Sequence, residues 1–265
     1  MPFLTLSNAE YYYEEYGSGS ETIVFAHGLL WSHWMFHHQI EYLQKNYRVI
    51  AYDFRGQGKS KALNSKYDME SLYQDSLELI KILCDKPVNF AGLSMGGYIG
   101  MRLAARSPEW IKKVILMESS SEAEPSENVA RYKMLNTLVR TVGYWPVEKQ
   151  IMNIMFGKTF LEDDNRKAEY EVYLRKLKEN NRATITMATE GVIQRDSFDE
   201  ELKNIKVPTL ILVGEEDVPA PVEKSEFLHQ NIENSILKVI PKAGHTGVLE
   251  NPEQYSFLIE AFIEA

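Results

Sequence analysis

The stretch that decides the fold of this chain is Gly92-Leu93-Ser94-Met95-Gly96-Gly97. It follows a short apolar run, Val88 to Ala91, which predicts a buried strand, and it precedes a helical pattern, Tyr98 to Ala105. One glycine stands two residues before Ser94 and another stands two residues after it, which leaves room for a sharp turn between strand and helix. Such a turn exposes the serine oxygen and points the first helix amides toward it. We therefore predict a nucleophilic serine; the alternative is an ordinary strand–turn–helix junction.

Two later segments could supply an acid and a base for such a serine. The apolar run Thr209 to Val213 predicts a buried strand, and it leads into the acidic loop Glu215-Glu216-Asp217. A second predicted strand, Ile236 to Ile240, leads into a Gly-His turn that contains His245. In open α/β sheets, ligands bind beyond the carboxyl ends of the strands. We therefore expect the serine, an acid and the histidine to meet at one edge of a sheet.

Two more blocks follow predicted strands in the first quarter of the chain. His27-Gly28-Leu29-Leu30 follows Thr22 to Ala26, and the block from Asp53 to Ser60 follows Arg48 to Tyr52. Together with the serine turn and the Gly-His turn, in this order, these blocks resemble the α/β-hydrolase superfamily over nearly the whole chain. Within it, the chain is most similar to the small capped serine hydrolases. The resemblance implies an α/β class fold, with a mostly parallel eight-stranded sheet flanked by helices and an inserted helical cap.

The same resemblance implies roles for individual residues. It implies a catalytic triad and an oxyanion hole, formed by the side chains of Ser94, Asp217 and His245 and by the backbone amides of Leu29 and Met95. Family spacing favours Asp217 over its acidic neighbours, while Glu118, which follows an earlier predicted strand, stays an alternative because some members of the family place the acid there. His27 is expected to orient the loop that carries the first oxyanion amide.

The strand pattern disappears between two parts of the chain that carry it. We predict a core formed by residues 1–118 and 206–265 and a helical cap formed by residues 119–205. Methionine and aromatic side chains can line an adaptable apolar pocket, although each of them could instead pack the cap onto the core. As pocket residues we predict Trp31, Trp145, Met152 and Phe156.

Composition excludes several classes of protein. The chain has 265 residues and a formal net charge of −9, which argues against nucleic acid and anionic membranes as partners. No apolar run approaches the roughly 18 residues of a membrane span. Residues 1–16 lack the pattern of a signal peptide, so we expect a cytoplasmic protein. A single cysteine, Cys84, excludes an internal disulfide, and no cluster of residues has the spacing of a metal site.

The resemblance implies a serine hydrolase that cleaves a carboxylic ester or lactone of a small, largely apolar substrate through an acyl-enzyme on Ser94, without a cofactor. A cofactor-free perhydrolase or haloperoxidase is the first alternative. A C–C bond hydrolase is disfavoured, because Thr246 stands where such enzymes usually have tryptophan. The non-enzymatic alternative is a receptor of the same fold for a small signal molecule. We expect a monomer or a homodimer.

Overall fold

One sheet organises the part of the chain that the computed structural model describes, residues 3–6, 9–62 and 67–265. Its strands are β1 (Phe3–Thr5), β2 (Ala9–Tyr16), β3 (Thr22–Ala26), β4 (Arg48–Tyr52), β5 (Lys61–Ala62), β6 (Val88–Leu93), β7 (Ile111–Met117), β8 (Thr209–Gly214) and β9 (Ser235–Ile240). Eight strands follow the order β1-β2-β4-β3-β6-β7-β8-β9, and the two-residue β5 also pairs with β2. β2 runs antiparallel to its neighbours, whereas all pairs from β4 to β9 are parallel. The predicted mostly parallel, eight-stranded sheet is thus confirmed.

Helices flank the sheet and connect its parallel strands. The α-helices are α1 (His37–Leu43), α2 (Met69–Leu83), α3 (Met95–Arg106), α4 (Ser126–Val142), α5 (Glu148–Met155), α6 (Lys158–Glu162), α7 (Lys167–Lys178), α8 (Arg182–Ile193), α9 (Val222–Asn231), α10 (Gly247–Glu250) and α11 (Pro252–Glu264). Every residue of the central strands β6 and β8 is buried, as expected of parallel strands covered on both faces. That double burial explains why these strands are mostly apolar runs in the sequence. No helix within the described residues is long and apolar enough to cross a membrane.

A run of helices separates two strands that are neighbours in the sheet. β7 and β8 pair in parallel, and α4 to α8 lie between them along the chain. We call residues 119–205, which contain these helices, the helical insertion. This segment is the one for which a cap was predicted, and α4 packs against α8 within it. The division of the chain into a core and a separate cap domain stays a prediction.

Candidate active site

Ser94 occupies a strained turn between β6 and α3. Its φ of 52° lies in the left-handed region, which costs a residue other than glycine about 1–3 kcal/mol and persists only where the surroundings impose it. A Cβ added to Gly92 would lie 2.2 Å from the carbonyl oxygen of Gly96, and one added to Gly96 would lie 2.1 Å from that of Ala26. Only glycine fits at either position. The glycine spacing noted in the sequence therefore has a steric cause, and it allows the tight turn that carries Ser94.

Ser94, His245 and Asp217 form a continuous chain of hydrogen bonds. The distance from His245 Nε2 to Ser94 Oγ is 3.0 Å, and His245 Nδ1 lies 2.9 and 3.0 Å from the two carboxylate oxygens of Asp217. The Ala220 amide donates to Asp217 Oδ1 at 2.9 Å and helps to fix its orientation. Because an ionised carboxylate only accepts, the Nδ1 atom carries the proton, and Nε2 is free to accept the proton of the serine hydroxyl. This arrangement can activate a serine as a nucleophile.

The other candidate carboxylates are engaged elsewhere. Glu216 accepts hydrogen bonds from the amide and the hydroxyl of Thr159. Glu118 is fully buried and accepts a hydrogen bond from the hydroxyl of Tyr255, and burial raises the pKa of its carboxyl well above the usual range. Among the described carboxylates, only that of Asp217 contacts His245. The geometry therefore favours Asp217 as the orienting acid.

The loop after β3 passes beside Ser94. A Cβ added to Gly28 would lie 3.4 Å from that of Ser94, so the loop approaches the serine closely. His27 is fully buried; its Nε2 accepts from the Phe54 amide at 2.9 Å, so its Nδ1 carries the proton and donates to the Gly28 carbonyl at 2.7 Å. Burial lowers the pKa of His27 to about 4, which keeps it neutral and suits a residue that holds the loop.

The two amides predicted for the oxyanion hole belong to the residue after Ser94 and to the loop that passes beside it. Met95 is the first residue of α3, and Leu29 lies in the loop that His27 holds. Within the described residues, neither amide donates a hydrogen bond. Both are thus available to a ligand oxygen, although their role stays a prediction.

A largely apolar cavity of about 130 Å³ opens beside Ser94 and His245. α4, α5 and α8 of the helical insertion supply much of its wall, and the loop after β3, the first turn of α3 and the loop after β8 supply other parts. Its aliphatic lining consists of Leu29, Leu30, Leu135, Val139, Ile151, Ile154, Met155, Ile185, Val192, Ile193, Pro219 and Ala220. Its polar lining, besides the serine and the histidine, consists of Tyr98, Glu124, Tyr132, Asn136 and Thr189. No group of three or more His, Cys, Asp or Glu side chains in the described residues could hold a metal ion.

The cavity contains none of the four predicted pocket residues, and that prediction is corrected. Trp31 is buried and meets the edge of Phe156 at a ring distance of 5.9 Å. Phe156 stacks on Tyr173 at 5.4 Å, inside an aromatic cluster of the helical insertion. Trp145 is 82% exposed and lies on the outer surface. Trp31 and Phe156 are therefore buried in aromatic packing, and Trp145 faces water.

Met152, the fourth predicted pocket residue, lies on the wrong face of α5. The residues of α5 that line the cavity are spaced at i, i+3 and i+4, namely Ile151, Ile154 and Met155. Successive residues of an α-helix are turned by about 100°, so Met152 points away from this face and is completely buried in packing. The sequence of α5 carries this periodicity, so helical position, more than side-chain type, distinguishes Met152 from the lining residues.

The sequence prediction missed one buried carboxylate beside the candidate base. Glu250 Oε2 accepts hydrogen bonds from the amides of Gly244 at 3.1 Å and Gly157 at 2.8 Å, and Oε1 accepts from the amide of Thr246 at 3.2 Å. Gly244 and Thr246 flank His245, and Gly157 belongs to the helical insertion. Burial raises the pKa of Glu250 to about 7, although all three hydrogen bonds act to lower it. A charged residue near a helix start resembles an ordinary surface residue in sequence, which is why it was missed.

Comparisons with known proteins agree with this architecture. A family model described as "alpha/beta hydrolase fold" matches residues 21–252. The chain is 27% identical to 3-oxoadipate enol-lactonase 2 of Acinetobacter baylyi over 98% of this chain and 96% of that protein. It is 30% identical to the AB hydrolase superfamily protein YisY of Bacillus subtilis, over 94% and 93% of the two chains. A crystal structure of the enol-lactonase from Burkholderia xenovorans LB400 matches with a TM-score of 0.92 and 25% identity over 100% of both chains.

Proposed function

The chain belongs to the α/β-hydrolase family, and on that premise we propose that it is a serine hydrolase that cleaves carboxylic esters or lactones of small, largely apolar substrates. The observation that carries the proposal is the hydrogen-bond chain from Ser94 through His245 to Asp217 beside an apolar cavity. A serine activated by a histidine is suited to acyl transfer, because the histidine takes the serine proton and later returns it to the leaving group.

The proposed reaction has two stages. Ser94 Oγ attacks the carbonyl carbon of the substrate while its proton passes to His245 Nε2, and Asp217 stabilises the resulting imidazolium. The bond from the carbonyl carbon to the alcohol oxygen then breaks, the alcohol takes the proton from Nε2, and an acyl group remains on Ser94. In the second stage, Nε2 takes a proton from water, the hydroxyl attacks the acyl carbon, and the acid is released as the serine regains its proton.

The oxyanion of each tetrahedral intermediate requires donors at the same edge of the sheet. We assign these donors as the amides of Leu29 and Met95. The availability of both amides and the position of Met95 at the start of α3 support this assignment, since a helix N-terminus favours negative charge. One such donor is worth about 3 kcal/mol in the transition state.

The apolar lining supports an uncharged acyl or alcohol group as the substrate portion held in the cavity. Small-molecule sites are mostly apolar, with a few polar groups that fix the orientation of the ligand. A relative named as a 3-oxoadipate enol-lactonase supports lactones as well as open-chain esters as substrates to test.

The test combines covalent labelling with turnover. A fluorophosphonate probe followed by peptide mass spectrometry should label Ser94, and a Ser94→Ala variant should remain unlabelled. A panel of p-nitrophenyl esters and lactones of graded chain length should then give many turnovers per molecule of enzyme. Labelling at another residue would refute the assignment of the nucleophile. Labelling of Ser94 with turnover that stops after about one event would favour the receptor alternative.

A further inference from the structure

An ion pair stands at the polar part of the cavity wall, with only its acidic member exposed to the cavity. Glu124 is among the lining residues, whereas its partner Arg195 is not. Arg195 Nη1 donates to Glu124 Oε2 at 2.7 Å, and the exposed fractions of the two side chains are 4% and 10%. We propose that Glu124 is a specificity-determining residue that excludes substrates with a carboxylate in the cavity. This inference rests on the proposed function and adds the charge of the substrate to it.

The carboxylate of Glu124 is held in place on both oxygens. Asn128 Nδ2 donates to Oε1 at 3.0 Å, opposite the guanidinium that holds Oε2. Since both oxygens have donors, the carboxylate is anchored in the wall and presents a fixed negative charge to the cavity. A fixed charge discriminates between ligands better than a mobile one, because it cannot turn away from an unfavourable neighbour.

The guanidinium of Arg195 donates to protein groups from two of its three nitrogens, Nε and Nη1. Besides the carboxylate, it donates from Nε to the carbonyl oxygen of Glu122 at 2.9 Å and from Nη1 to that of Val192 at 3.0 Å. Its centre also lies 4.6 Å from the ring of Tyr98. The pKa of Arg195 is raised by Tyr98 and Glu124 against the lowering effect of burial, so it stays charged. The hydrogen bonds of Arg195 thus go to protein groups, and Arg195 itself does not line the cavity.

The rest of the described lining contains no lysine or arginine. A substrate carboxylate in this cavity would lose its hydration among aliphatic side chains and gain no cationic partner in exchange. It would also meet the like charge of Glu124, which disfavours it further. An uncharged group of the same shape loses little hydration and meets neither penalty. The cavity therefore selects by charge as well as by polarity.

The charge of Glu124 can be removed without changing the size of its side chain. In Glu124→Gln the amide keeps the size of the side chain but removes the negative charge, while the buried guanidinium of Arg195 keeps its positive charge. The wall should then attract the carboxylates that it formerly excluded. If Glu124 excludes carboxylates by its charge, the variant should gain activity toward carboxylate-bearing substrates relative to uncharged ones, and it should not lose activity in general.

The experiment compares three substrates that differ at one end: p-nitrophenyl hexanoate, mono-p-nitrophenyl adipate and its methyl ester. We expect the wild-type kcat/KM for the adipate monoester to be about 100-fold below that for its methyl ester, since like charges in close contact cost several kcal/mol. In Glu124→Gln this ratio should shrink by about tenfold or more. All rates are measured at high ionic strength, because the net charge of −9 repels anions in general and salt screens exposed charges far more than buried ones.

Two variants complete the design. Glu127→Gln removes a nearby exposed carboxylate that does not line the cavity, so its ratio should equal that of the wild type. If Glu124→Gln fails to fold, Glu124→Gln combined with Arg195→Met removes both charges of the pair and should also narrow the ratio. Equal wild-type rates for the monoester and its methyl ester, or a ratio unchanged in the folded Glu124 variant, would overturn the inference. Absence of Ser94 labelling and of hydrolysis of every ester would instead overturn the proposed function.

Discussion

The sheet edge and the helical insertion contribute to the same cavity in different ways. At the sheet edge, the backbone determines where Ser94 lies: its left-handed φ and the contacts of Gly92 and Gly96 leave no freedom. In the insertion, the lining depends on which face of each helix turns inward, and many apolar side chains could serve there. The chemistry is therefore tied to particular residues, whereas the lining is tied to a pattern. Changes at the sheet edge should abolish the reaction, and changes in the insertion should alter substrate preference.

The largest effect is expected from Ser94→Ala. Loss of the nucleophile in a serine protease triad costs about 10⁶ in kcat, and we expect a loss of similar order here. Burst and steady-state kinetics with the best p-nitrophenyl ester would measure it, with thermal unfolding as the control for folding. If Ser94→Ala retains more than about 1% of the activity, the reaction depends on other groups, and the sheet edge at Ser94 does not carry the chemistry.

The second effect, from Asp217→Asn, separates the two buried acids. This change keeps the shape of the side chain but favours the wrong tautomer of His245, which costs about 10⁴ in kcat in a well-studied triad. Glu118→Gln should be much milder, because Glu118 accepts a hydrogen bond from Tyr255 and does not contact His245, and because burial raises the pKa of Glu118 and so disfavours a charge there. Measurement of kcat for the two variants shows which acid orients His245. A larger loss in Glu118→Gln than in Asp217→Asn would contradict our assignment of Asp217.

The third effect concerns Glu250, which joins the two regions. Glu250→Gln keeps one acceptor oxygen but places an NH₂ group among three amide donors, so the loop around His245 should lose its fixed position. We expect kcat to fall about 10- to 100-fold, with KM little changed, as for other partners that only orient a catalytic group. Glu253→Gln, at an exposed site nearby, is the matched control. An equal loss in kcat for Glu250→Gln and Glu253→Gln would show that Glu250 does not position the loop around His245.

The raised pKa of Glu250 also predicts how stability depends on pH. Its pKa is about 7 in the folded protein, above the ordinary value of 4.5, so between these values the folded state holds a proton that the unfolded state has lost. The contribution of this group to stability is therefore fully present below about pH 4.5 and is lost as the pH rises through 7. Relative to Glu250→Gln, the wild type should lose about 3 kcal/mol of unfolding free energy over this range. Urea unfolding of both proteins at several pH values measures the difference, and a constant difference would contradict the buried ionisation.

The contrast between the two regions also explains how much of the structure was predictable. The turn at Ser94 requires glycine at two positions, and buried parallel strands require apolar runs, so both leave a clear signal in the sequence. The loop position of Asp217 followed from the strand before it and from family spacing. Glu124 and Glu250 left no such signal, since their roles depend on partners distant in sequence, 71 residues away for the Arg195 contact and 93 for the Gly157 contact.

The smallest effect is expected in the insertion, and it tests the corrected pocket directly. Ile154 lines the cavity, whereas Trp145, on the loop before the same helix, is 82% exposed. Ile154→Ala removes about three methylene-sized groups from the lining, and each is worth roughly 1 kcal/mol of discrimination, so kcat/KM should shift toward longer acyl chains while turnover persists. Trp145→Ala should leave the whole chain-length profile unchanged, although it removes a larger side chain. Measurement of kcat/KM over a series of p-nitrophenyl esters from acetate to decanoate compares the two. A profile that shifts with Trp145 and not with Ile154 would mean that substrate reaches the outer surface of the insertion, and the cavity beside Ser94 would no longer account for preference.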